Sequence, residues 1–114
     1  SSDVCSSDLL LARDAGFTAV FCMSDIMAVG AMRALTDAGL RVPQDISVLG
    51  FDGIELGQYV VPRLATVSQP QQEIADQSVA LLLGQIEKAA PPQTRVVSTG
   101  LLEGESVASV TSDI

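Results

Sequence analysis

The chain has no histidine and no tryptophan, and 4% of its 114 residues are aromatic. Without histidine it lacks the commonest general base and the commonest metal ligand, which argues against acid–base catalysis and a metal centre. The two cysteines, Cys5 and Cys22, have no metal-ligand spacing and no imidazole to pair with. Cys22, inside an apolar run, reads as a small buried hydrophobe, and a Cys5–Cys22 bridge is a second reading that the spacing does not support. Cations are also scarce: 6 Lys and Arg stand against 14 Asp and Glu, a net charge of −8. They are scattered, whereas phosphate backbones are bound by clustered ones, so this chain does not hold DNA by itself. The acidic balance serves solubility. No apolar run approaches the roughly 18 residues that mark a membrane span.

What remains is aliphatic: 47% hydrophobic residues, enough for one modest α/β core. Its organising stretch is Phe17 to Gly53. Thr18 to Cys22 is a short apolar run, expected as a strand covered on both faces. Ser24 offers an N-cap hydroxyl, and Asp25 puts a carboxylate at the positive end of a helix reaching Ala38. Gly39 is placed as its C′ residue, and Pro43 blocks resumption. Ile46 to Phe51 is a second buried strand, ending at Asp52-Gly53. One βαβ unit with a right-handed crossover follows. It aims Ser24, Asp25 and Asp52 at one edge of a parallel sheet, the edge where open α/β sheets bind ligands. Val20, Phe21, Ile46, Val48, Leu49 and Phe51 are the expected sheet core.

The helix after Ser24 is apolar on more than one side, so either both stripes meet one internal core or one of them meets another chain. Leu64 to Val67 reads as a third strand. Pro70 begins a helix running to about Ala89, with a stripe of Ala75, Val79, Leu82, Leu83 and Ile86, broken by Pro91-Pro92. Thr94 to Thr99 and Leu101 to Glu103 read as final strands, and Ser106 onward as a fraying terminus. At the other end, residues 1–10 carry a tandem Ser-Ser-Asp repeat, with neither an initiator methionine nor a signal peptide's charged start. They read as a foreign tail, and residues 9–15 as a helical turn or two.

The segment SDIMAVGAMRALTDAGLRVPQDISVLGFD, continued by Pro62 to Val67, Gln69-Pro70 and Leu101 to Glu103, resembles the C-terminal subdomain of lactose-repressor and purine-repressor type bacterial regulators. The resemblance spans about residues 16–110. It implies a periplasmic-binding-protein-like fold present as a C-terminal fragment, with residues 11–114 as a partial effector-binding domain and the helix-turn-helix absent. It further implies a cytoplasmic, homodimeric parent that senses a carbohydrate or nucleobase, meets operator DNA only through its missing N-terminal domain, and uses no cofactor, metal or membrane. Ser24 and Asp52 stand where the family contacts its effector, and Gln69 stands in the cleft near the hinge. Dimer contact is expected through Val29, Met32 and Tyr59. A transporter's solute-binding protein shares the same fold and is the alternative.

The ligand-binding set is therefore Ser24, Asp25, Asp52 and Gln69. Carboxylates accept from vicinal hydroxyls, and an amide both donates and accepts. Each residue has a plainer reading: Ser24 as N-cap, Asp25 as complement to the helix dipole, Asp52 as a turn residue. An Asp25–Asp52 hydrolytic pair is a further reading, but no nucleophile elbow or phosphate-cradling loop accompanies it.

Overall fold

The computed structural model describes residues 16–109. They fall into two compact units, residues 69–100 forming the second and the remainder the first.

The first unit is built on the expected βαβ pattern. Strand β1 (Ala19–Phe21) leads to helix α1 (Asp25–Asp37), then to β2 (Ser47–Asp52). A 3-10 turn (Glu55–Gln58) and β3 (Ala65–Ser68) follow, and β4 (Gly100–Leu102) begins at the last residue of the second unit. The sheet order is β1-β2-β3-β4, and β1, β2 and β3 run parallel. Helix α1 starts as its sequence requires: the Ser24 hydroxyl accepts the Met27 amide at 3.2 Å from an extended N-cap. It stops at Gly39, φ +84°, where the Gly39 amide reaches Thr36 O and the Leu40 amide reaches Leu35 O. That is a Schellman stop, and only glycine takes its backbone angle without strain.

One face of the sheet is closed. Ala28, Ala31, Met32 and Leu35 of α1 pack with Cys22, Ile46, Val48 and Leu64. Cys22 is a free thiol whose pKa burial pushes up, as expected of an inert core residue. The opposite face corrects the expectation of strands covered on both sides. Phe21 stands beside Leu49, and Leu49 beside Ala65, so all three share that face. Phe21 is 62% exposed there and Leu49 half-buried. Of the six expected core residues, Ile46 and Val48 are buried, Val20, Leu49 and Phe51 are half-buried, and Phe21 is outside the core.

Two further expectations are corrected. Thr94 to Thr99 forms no strand. Ser106 does not fray; it is fully buried, donating to Val48 O at 2.6 Å and accepting the Ala65 amide at 2.9 Å. Two neighbouring strands thus share one hydroxyl, which satisfies backbone groups at the edge of the ladder. The tail at residues 1–10, the turns at residues 9–15 and the last five residues lie outside the described residues.

The second unit is one helix, α2 (Gln71–Lys88), with Pro70 as N-cap and a stretch without regular secondary structure behind it. Helix α2 has no buried residue, and Val79, Leu82, Leu83 and Ile86 of its apolar stripe are exposed.

Candidate functional site

Because β1, β2 and β3 are parallel, their C-terminal ends share one edge. Ser24 follows β1, Asp52 ends β2, and Ser68 ends β3 in register with Asp52. Gln69 follows Ser68 in sequence and opens the second unit.

Asp52 has φ +123°, a region that non-glycine residues seldom enter and that costs about 1–3 kcal/mol. Gly53 continues the turn at φ +81°, where a Cβ would meet the Ser68 side chain and Cα at about 3 Å. The turn is therefore both tight and pressed against β3. Ser24 is half-buried and already capping α1, yet a serine oxygen keeps capacity beyond the one amide it accepts.

Asp25 is placed differently from the expectation. It is 0% exposed. One carboxylate oxygen, Oδ2, accepts the Gly53 and Ile54 amides at 2.9 and 2.8 Å, and the other, Oδ1, accepts the Thr66 hydroxyl at 2.6 Å. Both oxygens of Asp25, expected as a ligand contact, are thus engaged by groups of the chain itself. Met32, expected at a dimer contact, is 6% exposed and packs in the internal core, on the α1 face shared by Ala28 and Leu35. Val29 is half-buried at the border of that face. Tyr59 is 72% exposed, its hydroxyl donating to Glu55 Oε1 at 2.8 Å.

Sequence reasoning passed over Thr66 and Gly50. A glycine inside an otherwise bulky strand marks close approach of another group. At Gly50 that group is the Asp25 carboxylate, which fills the space a Cβ would need.

The concavity of about 650 Å³ lies elsewhere, on the open sheet face, lined by Phe21, Leu49, Ala65, Leu101 and Val107 among others. Ser24, Asp25 and Asp52 do not line it. Its walls are mainly aliphatic, as an uncovered sheet face should be, whereas orienting a polar effector needs convergent polar groups. Among the described residues no group of three Cys, Asp or Glu is placed to hold a metal ion.

A periplasmic binding protein-like domain matches residues 4–107. The chain belongs to that family. Its match begins within the stretch read as a tail. Over 92 residues, 80% of this chain, the sequence is 48% identical to the HTH-type transcriptional repressor PurR of Yersinia enterocolitica, and covers 27% of that protein. Among solved structures it resembles the lac repressor dimer bound to operator and the anti-inducer ONPF, with TM-score 0.85 and 31% identity over 95% of this chain and 38% of the repressor. It also resembles a LacI family regulator from Enterococcus faecium with bound ribose, with TM-score 0.81 and 31% identity over 93% of this chain and 39% of that one. The chain thus spans about a quarter of the curated relatives it matches.

Proposed function

We propose that the chain is the effector-sensing and dimerising portion of a LacI-type transcriptional regulator, and that Asp52 and Ser24 contact the effector. The observation that carries this is the strained Asp52, held at φ +123° on the C-terminal edge of a parallel sheet in a chain 48% identical over 92 residues to the HTH-type transcriptional repressor PurR. Strain of this kind persists where the surroundings impose it, and it clusters at ligand sites. The effector is a sugar or a nucleobase: both offer adjacent donors that a carboxylate binds in bidentate fashion. Gln69 supplies an amide beside the hinge. Closure of two subdomains on the effector changes how a dimer presents its DNA-binding heads. Val29 and Tyr59 belong to the dimer contact. The chain itself is not an enzyme, and operator DNA is met only by the part of the regulator outside it.

Calorimetry on the full-length regulator that carries this chain tests the reading, with ribose, lactose, cellobiose, hypoxanthine and guanine as probes. One of these should bind, and Asp52→Asn should weaken it by about 1.5–3 kcal/mol, the scale of a hydrogen bond to a charged group. Unchanged affinity would remove Asp52 from the site.

A further inference from the structure

We propose that Asp25 is a positioning residue for the effector edge: its buried carboxylate fixes the backbone of Asp52 without touching the effector. This rests on the assignment of Asp52 as the contact.

The two amides that follow Asp52, those of Gly53 and Ile54, both donate to Asp25 Oδ2. Consecutive amides in a turn of positive φ form a concave anion site, and here the anion is a side chain of the same protein. If those amides are held, the peptide after Asp52 is held, and with it the unusual φ. The second oxygen is anchored in turn by the Thr66 hydroxyl on β3. Gly50 keeps the space open in which that oxygen sits. Asp25 is also the first residue of α1, next to the capping Ser24. One carboxylate therefore joins the start of α1, the turn after β2 and the body of β3. These are the elements that carry Ser24, Asp52 and Ser68.

A purely structural role would cost stability alone. Positioning must change the conformation of Asp52 and the affinity for the effector. The HN–Hα coupling of Asp52 reports its φ directly in the 114-residue chain. Effector affinity is read by calorimetry in the full-length regulator, with whichever of the five probes binds. Asp25→Ala should shift the Asp52 coupling toward the value of ordinary extended backbone and weaken binding about tenfold or more, the factor that 1.4 kcal/mol represents. Ser106→Ala, which removes buried hydrogen bonds elsewhere in the sheet, should lower the melting temperature and leave both readouts unchanged. A folded Asp25→Ala protein with unchanged Asp52 coupling and unchanged affinity overturns the proposal.

If Asp25→Ala does not fold, Asp25→Asn carries the test, since it keeps the volume and removes the charge. The Gly53 and Ile54 amide resonances should then move upfield, and binding should weaken at least threefold; affinity within twofold of the unsubstituted protein overturns the proposal. Asp52→Asn separates the two claims. If it leaves binding intact, the effector assignment fails, and the Asp52 coupling in the Asp25 variants still decides whether Asp25 positions the turn.

Discussion

Gly50 makes room for Asp25: the carboxylate oxygen that accepts the Thr66 hydroxyl occupies the place a Cβ at position 50 would take. The neighbour is a hydrogen-bonded group on a short side chain, so it cannot swing aside cheaply. Gly50→Ala should therefore destabilise the fold by about 1–3 kcal/mol, the usual cost of overpacking. Gly30, in α1, faces open space where a methyl group would stand. There the same substitution should stabilise by about 0.5–1 kcal/mol through helix propensity. Urea denaturation of the two variants should move in opposite directions.

Ser106→Ala removes a donor to Val48 O and an acceptor for the Ala65 amide, both buried. Leaving such groups without partners costs about 1–3 kcal/mol. The expected result is a lower urea midpoint with an unchanged slope. An unchanged midpoint would mean that water replaces the hydroxyl.

Asp45 is held below the usual carboxylate range, first by its side-chain hydrogen bonds with Arg41 and then by the Arg41 amide. The guanidinium of Arg41 is raised by the same hydrogen bonds. A carboxylate depressed in the folded state stabilises the fold above its unfolded value, near 4, and that contribution is lost as pH falls through the folded value. Arg41→Ala should bring the Asp45 pKa part of the way back, because the backbone amide at position 41 still donates. A carboxyl-detected NMR titration checks this; an Asp45 that titrates unchanged would contradict it.

Met32→Glu should unfold the protein rather than dissociate it, since it would bury a charge beside Leu35 and Val48. Val29→Glu and Tyr59→Glu should leave the melting temperature within a few degrees. In the full-length regulator each should shift sedimentation toward monomer. A dimer that survives both would place the contact on another face.

The exposed stripe of α2 has a consequence for the isolated chain. Val79, Leu82, Leu83 and Ile86 left in water each forgo about 1.5–3 kcal/mol of burial. The purified 114-residue chain should associate as concentration rises in light scattering, and should bind the five probes weakly. A monomer at every concentration with micromolar affinity for one of them would contradict both expectations.

What is legible in the sequence is what local rules decide. Ser24 caps α1 and Gly39 ends it, because capping chemistry spans three or four residues. Parallel pairing of β1, β2 and β3 follows from short apolar runs separated by longer connections. The role of Asp25 is not legible, since Gly53 and Thr66 lie 28 and 41 residues away and nothing local distinguishes a buried first-turn carboxylate from an exposed one. The same holds for Ser106, which in the sequence is merely polar and near the end. Met32 escapes the pattern because a helix with two adjacent apolar stripes does not say which one meets the sheet. Phe21 escapes it because an unbroken apolar run conceals which of its residues has a covering element.

The hydroxyl that stitches β2 to β3 also sets an order on folding. Ser106 lies 58 residues after Val48 and 41 after Ala65. During synthesis, the pairing of those strands at this end stays unsealed until the segment around Ser106 leaves the ribosome. At about 5–20 residues per second, the wait after Ala65 lasts seconds, far longer than a loop needs to close. For that interval the Val48 carbonyl and the Ala65 amide lack the hydroxyl that joins them.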